Sequence, residues 1–343
     1  MVRVKKGPSQ GVSIKDVAAK AGVSTSTVSR VINKFPTVKE KNRQKVLKAI
    51  KELNFQPSVF AQRLATGKSN VVMLVIPRYE GIFYSFYALE LIRGIGTLCD
   101  ALKLDLLLHL TDSRGSSLNF QGVGGVIFAD IIGNCNQLKE AIVRGIPSVV
   151  INNYVEDLEV NCIAIDNVGG AQQAVDYLVS LGHRRIAHIT GDLVTQAASQ
   201  RLEGYQKALK KHKISLEEEL VFKTDYSRGQ ARVAAEKLLK ISPPPTAVFV
   251  ASDAMALEVM AVAREKGKTI PRDLSIVGFD DNPSSLYGPV ALTTVRQPLI
   301  KMAEESVKIL NILMRYKEKK SAVEKIVLPT ELVVRESCQV PGS

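Results

Sequence analysis

From residue 71 onward the chain alternates unbroken apolar runs with stretches of helical periodicity. The runs are "VVMLVIP", "LDLLLHL", "GVIFADI", "SVVINN", "CIAIDN", "RIAHITG", "AVFVASD" and "SIVGFDD". Continuous Val/Ile/Leu segments of this length fit strands buried on both faces, and helices between them fit a parallel, doubly wound sheet. Eight such runs exceed what one compact sheet of this length normally holds, so two sheets are expected.

Before residue 70 the period changes. Ile14, Val17, Ala18 and Ala21 form one helical stripe, capped by Ser13 with Asp16 three residues on and closed by Gly22. Val28, Val31 and Ile32 form a second stripe, capped by Ser24. Val46, Leu47, Ile50 and Leu53 form a third, for which Thr37 and Glu40 supply a capping-box pattern and Pro57 a stop. The second helix is unusual: between Ser24 and Arg30, five of seven residues are Ser or Thr. Hydroxyl side chains compete with the backbone for hydrogen bonds, so such a turn makes either a poor helix or one that touches another molecule.

Charge sharpens the contrast. Residues 1–70 carry fifteen Lys/Arg against three acids, whereas the rest of the chain carries 31 of each sign. The whole net charge of +12 therefore sits in the first fifth of the chain. A basic module on a neutral body is the footprint of phosphate neutralisation, with a plain solubility patch as the rival reading. Two short helices joined by "AGVS" and backed by a third read as a helix-turn-helix, against a three-helix bundle for protein contact. The second helix would enter a major groove by its hydroxyl-rich turn, with Arg30 suited to paired contacts on a guanine.

Other chemistry is sparse. The four cysteines are scattered and read as reduced thiols of a cytoplasmic protein, and neither a secretory signal nor a membrane span is expected. His109, His183, His188 and His212 are dispersed, and no catalytic or metal-ligand spacing appears, so no enzyme activity, metal or cofactor is expected. His183 reads as a cation at a helix C-terminus. "GKS" at 67–69 lacks the earlier Gly of a phosphate loop, and "GIGTLC" from Gly94 lacks the third Gly of a dinucleotide fold.

The segment "SIKDVAAKAGVSTSTVSRVINKFPTVKEKNRQKVLKAIKELNFQPSVFAQRLATGKSN" resembles the headpiece and hinge of the LacI/GalR family of bacterial transcription regulators. The resemblance implies base reading by Thr25, Ser26 and Arg30, and phosphate positioning by Ser13, Thr27, Ser29 and Asn33. It also implies a hinge helix over "SVFAQRLATGK" with Leu64 wedged into the minor groove. A helix of about eight residues is too short to stand alone in water, so it would need its dimer mate, DNA, or both. A leucine opening a base step bends the duplex at a cost of a few kcal/mol.

The body resembles the same family in "AIDNVGGAQQAVDYLVSLGHRRIAHITG", "ASDAMALEVM", "IPRDLSIVGFDD" and "LTTVRQP". The implied organisation is a disordered basic tail (1–11), an all-α helix-turn-helix domain (12–57), a hinge (58–69) and an α/β core (70–340) of periplasmic-binding-protein type. That core would hold two doubly wound subdomains, 70–164 with 294–324 and 165–293 with 325–340. A carbohydrate-like effector would lie in the cleft, held by Arg201 and Asp280, with Tyr226, Ser252 and Asn152 beside them. The implied protein is a homodimer on a pseudo-palindromic DNA operator, most simply a repressor; a solute-binding protein or an effector-independent or co-repressor-dependent regulator is the alternative. Ser252 stands where many relatives have Asn. The loop "YEGIFYSFYAL" is longer than usual, and about ten residues between Asp112 and "VGGVIF" leave little room for a crossover helix.

Overall fold

The computed structural model describes residues 12–32, 35–55, 69–78, 82, 85–111, 117–316 and 322–342. The chain divides into two units, 1–69 and 70–343, each of which is described by itself.

The first unit contains three helices, α1 (Ile14–Ala21), α2 (Thr25–Ile32) and α3 (Glu40–Glu52). Each sends one fully buried valine into the common core: Val17, Val28 and Val46. Around them pack Ala18, Ala21, Val31 and Ala49. Ser13 and Asp16 make the expected reciprocal cap, the Ser13 amide donating to the Asp16 carboxylate at 2.8 Å. Gly22 closes α1 at φ 65°, where a side chain would be strained. Ser24 caps α2, accepting from the Thr27 amide at 3.2 Å.

The third helix departs from expectation at both ends of its pattern. It starts at Glu40, with Lys39 extended before it and no side-chain cap, so Thr37 does not form the box. Arg43 instead donates to the Phe35 carbonyl at 3.0 Å, tying the preceding turn to the helix's first turn. Leu47 is exposed, because it lies a further 100° round the helix from Val46 and beyond the stripe that Ala49, Ile50 and Leu53 share. The expected tail and hinge helix lie outside the described residues.

The second unit holds two six-stranded sheets. The first sheet is parallel and has the order β11-β5-β4-β3-β1-β2. Its strands are β1 (Val71–Pro77), β2 (Asp105–Thr111), β3 (Gly125–Phe128), β4 (Ser148–Ile151), β5 (Asn161–Ile165) and β11 (Lys325–Leu328). The second has the order β12-β10-β9-β8-β6-β7, with only β12 antiparallel. Its strands are β6 (Ile186–Ile189), β7 (Val221–Phe222), β8 (Ala247–Val250), β9 (Ser275–Asp280), β10 (Thr293–Arg296) and β12 (Glu331–Val333). The helices are α4 (Phe86–Ala101), α5 (Cys135–Val143), α6 (Asn167–Ser180), α7 (Gln196–Lys211), α8 (Arg228–Leu238), α9 (Asp253–Glu265) and α10 (Leu299–Arg315). None of the described helices is long and apolar enough to cross a membrane.

Two expected boundaries move. β10 stays in the second sheet beside β9, and β11 stays in the first beside β5. The chain therefore passes between sheets after residues 165, 296 and 328, the last two about three residues later than the expected boundaries. The buried Thr293, Thr294 and Val295 fit a strand covered on both faces, which explains the first shift. Gly94 from "GIGTLC" serves packing: a β-carbon there would lie 2.7 Å from that of Ala303, so α4 and α10 approach closely.

Between β2 and β3 the described residues form no helix. Leu118 and Phe120 plug the sheet face instead, packing with Met73, Val75, Val126 and Phe128. His183 is not a helix-end cation. It is buried, accepts from or donates to Thr246 Oγ1 at 2.8 Å, and reaches the Gln339 carbonyl with Nε2 at 2.9 Å. A carbonyl only accepts, so Nε2 carries the proton, and burial lowers the His183 pKa so that the ring stays neutral.

Candidate functional site

In the first unit, α2 divides cleanly. Val28 and Val31 face the core, while Thr25, Ser26 and Arg30 are exposed and Thr27 and Ser29 half-buried. Part of the hydroxyl excess is internal, since Ser24 Oγ lies 2.8 Å from Ser26 Oγ and 2.9 Å from Thr27 Oγ1. This network lets three adjacent hydroxyls support the helix start. Ser26 and Arg30, four residues apart, project from the same solvent face, with Thr25 exposed to one side, and no described side chain pairs with the Arg30 guanidinium. Ser13 is exposed but committed: its hydroxyl donates to Asp16 at 2.7 Å. Asn33 and Leu64 lie outside the described residues.

In the second unit, polar side chains collect where strands of both sheets end. Asn152 follows β4, Tyr226 follows β7, Ser252 follows β8, and Asp280 ends β9. Arg201 comes from α7 and is 4% exposed. Its Cζ lies 3.7 Å above the centre of the Phe279 ring. Nε donates to Asn167 at 2.9 Å and Nη1 to the Ala251 carbonyl at 2.6 Å, which fixes the guanidinium plane. Asp280 takes a 2.5 Å hydrogen bond from Gln297 Nε2. Burial lifts the Asp280 carboxyl to about 6, although the Arg201 charge and the Gln297 bond pull the other way.

A second carboxylate stands behind it. Asp253 is fully buried, accepts from Thr294 Oγ1 at 2.5 Å and from the Asn282 amide at 2.8 Å, and is pushed up to about 8 by burial and then by the Asp280 charge. At neutral pH the pair therefore retains a proton. On the opposite wall, Asp130 accepts from the Ile132 amide at 3.0 Å, with the Asn152 side chain beside it. The Tyr226 phenol lies close enough to Arg201, Asp280 and Asp130 to feel their charges, and burial raises its pKa.

Backbone strain marks the same places. Asn152 (φ 69°), Tyr226 (φ 67°), Asp280 (φ 134°) and Asp281 (φ 57°) all sit in the left-handed half of the map. Asn152 and Asp281 tolerate this, but Tyr226 there and Asp280 at φ 134° do so at a cost of about 1–3 kcal/mol each. Structure that holds such residues at strand ends is characteristic of binding and switch sites.

Arg201, Tyr226, Asp280 and Asp130 thus lie within reach of one another's charges, and Asn152 stands beside Asp130. The Ser252 hydroxyl is occupied as an acceptor, capping α9 through the Met255 amide. Sequence reading missed Asp130, Asp253, Gln297 and Gly191, although "GVIFAD", "AVFVASD" and "VRQP" each place a polar residue just past an apolar run. An open hollow of about 470 Å³ flanks the cluster, lined by Tyr154, Asp166, Asn167, Gln196 and Gln200 among others. Among the described residues, no group of three His, Cys, Asp or Glu side chains is placed to hold a metal ion.

Comparison with known proteins finds a family match in each of the two units. The family "Bacterial regulatory proteins, lacI family" matches residues 13–58, and a periplasmic binding protein-like domain matches 175–338. The transcriptional regulator DegA of Bacillus subtilis is 36% identical, covering 95% of this chain and 97% of that protein. Catabolite control protein A of Priestia megaterium is 32% identical, covering 95% and 99%. Among solved structures, the lac repressor dimer bound to operator and the anti-inducer ONPF superposes with a TM-score of 0.82 at 28% identity, covering 96% and 100%. A CelR–cellobiose complex does so with a TM-score of 0.70 at 30% identity, covering 95% and 99%. The chain belongs to the lacI family of bacterial regulatory proteins and is a DNA-binding transcription regulator, not an enzyme.

Proposed function

We propose that this regulator is a cytoplasmic, homodimeric repressor whose operator affinity is set by a polyhydroxylated effector in the cleft of its second unit. The observation that carries the effector reading is a matched pair of acceptors on the two walls. On one wall the Asn152 amide lies beside Asp130, and on the other the Gln297 amide donates to Asp280. Both Asn152 Oδ1 and Gln297 Oε1 are buried without a partner among the described residues. Buried acceptors without donors cost about 1–3 kcal/mol each. A ligand rich in hydroxyl donors satisfies them, while Arg201 supplies the matching donor and Tyr226 a stacking face.

On DNA, Thr25, Ser26 and Arg30 would read base edges from the exposed face of α2. Ser13, Thr27, Ser29 and Asn33 would position phosphates, and Leu64 would open a central base step. Two headpieces of one dimer would meet a pseudo-palindromic site. The effector acts by binding the two states of the cleft unequally.

The test is selection of bound sites from random duplex DNA, repeated with cellobiose, ribose and galactose present. A palindromic consensus whose recovery changes with one sugar supports the reading. Recovery that ignores every polyol overturns the effector half and leaves the DNA half standing.

A further inference from the structure

The two walls of the cleft are joined, away from the segments where the chain crosses between sheets, by one side chain gripping a backbone. Gln196 Oε1 accepts from the Tyr154 amide at 2.7 Å, and Gln196 Nε2 donates to the Tyr154 carbonyl at 3.0 Å. A single amide thus pairs with both backbone groups of one residue, as a neighbouring strand would. Tyr154 lies two residues after Asn152, in the loop beyond β4. The intervening Asn153 accepts from the Ile131 amide at 3.0 Å, so this loop is braced against the one that carries Asp130. Gln196 is the first residue of α7, five before Arg201 on the same helix. The bidentate contact therefore couples the segment bearing Asn152 and Asp130 to the helix bearing Arg201.

We propose that Gln196 is a latch that holds the cleft closed before any effector arrives, so that this residue sets the resting position of the switch. The proposal concerns the regulation of the effector cleft and rests on that reading for its consequence, but the latch itself needs no ligand. Two net hydrogen bonds shift a closed-to-open ratio by about thirtyfold, with a range of several-fold either way. An open resting state lowers apparent ligand affinity in proportion to the closed fraction that remains. The partner is a main-chain group, so the latch depends on Gln196 and not on the nature of the Tyr154 side chain.

The experiment measures distances between spin labels on the exposed Val143 and Val233 positions, one on each wall. It uses full-length, ligand-free protein, with doubly labelled protomers diluted into unlabelled ones and Cys135 and Cys338 replaced by Ser. The parent is expected to show one short distance. Gln196→Ala, and Gln196→Glu, which sets a carboxylate against the Tyr154 carbonyl, should each add a longer population. Tyr154→Ala keeps the backbone groups and should retain the parent distribution. An unchanged distribution in Gln196→Ala overturns the latch, and so does equal opening in Tyr154→Ala, which would assign the contact to packing. Neither result depends on an effector, so failure here leaves the effector reading intact, and failure of every polyol to bind leaves the latch intact.

Discussion

The ring of Tyr226 lies directly against the α-carbon of Gly191, so that a β-carbon at Gly191 would fall within the ring's own van der Waals envelope. Gly191 follows β6 and Tyr226 follows β7, neighbouring strands of one sheet. The glycine is needed for space, and the space is what lets an aromatic face lie along the cleft wall.

Gly191→Ala should consequently displace the Tyr226 ring and leave the first unit untouched. Overpacking of this kind costs about 1–3 kcal/mol. Urea unfolding should register the loss, and titration with whichever sugar alters operator selection should show weakened binding. Full sugar affinity in the variant would mean that Tyr226 does not face the ligand.

On the DNA side, Arg30→Ala should weaken operator binding by about 1–3 kcal/mol and relax base preference at one position in each half-site. Binding measured against a set of single-base operator variants separates the outcomes. Equal weakening on all sequences would assign Arg30 to a phosphate.

Most of the architecture was legible because it rests on local periodicity and caps. Val17, Val28 and Val46 could be placed in one core from spacing alone, and Ser13 with Asp16 announced a helix start. Thr37 misled because a T-x-x-E pattern is satisfied only if the helix begins beside it, and the Arg43 contact with Phe35 sets a later start. The cleft was legible in part. Strand ends pointed to Asp280 and Asn152, but nothing local reveals that Gln297 would orient one carboxylate or that Asp253 would stand behind it. The contact of Gln196 with Tyr154 was invisible for a further reason: its partner is backbone, which carries no residue signature.

Asp280→Ala removes the carboxylate that orients Gln297 and leaves Arg201 with its protein partners. The effector response should disappear while operator affinity without effector stays within about twofold, a difference of about 0.4 kcal/mol. Gel shifts with and without the active sugar make the comparison. A retained response would place the effector elsewhere.

His188 gives the second unit an acid sensitivity of definite sign. Its ring is fully buried, stacked on Phe249 at 4.7 Å and Tyr205 at 5.1 Å between ring centres. Nδ1 donates to the Phe249 carbonyl at 2.9 Å and Nε2 has no partner among the described residues. Burial, helped by the Arg201 charge, lowers the pKa from 6.5 to about 4. The unfolded chain therefore binds a proton that the folded one refuses, and stability present above pH 6.5 is lost as pH falls toward 4. The loss amounts to about 3 kcal/mol over that window. Asp253 acts oppositely, because its raised pKa makes the folded state hold a proton and lose stability as pH rises toward 8. That contribution is shared by the parent and by His188→Phe, so their difference isolates the imidazole. Urea unfolding of both proteins at pH 7.5, 6, 5 and 4.5 should show the parent losing stability relative to the variant as the solution is acidified. Parallel curves would show that the imidazole is protonated in the folded protein as readily as in the unfolded chain.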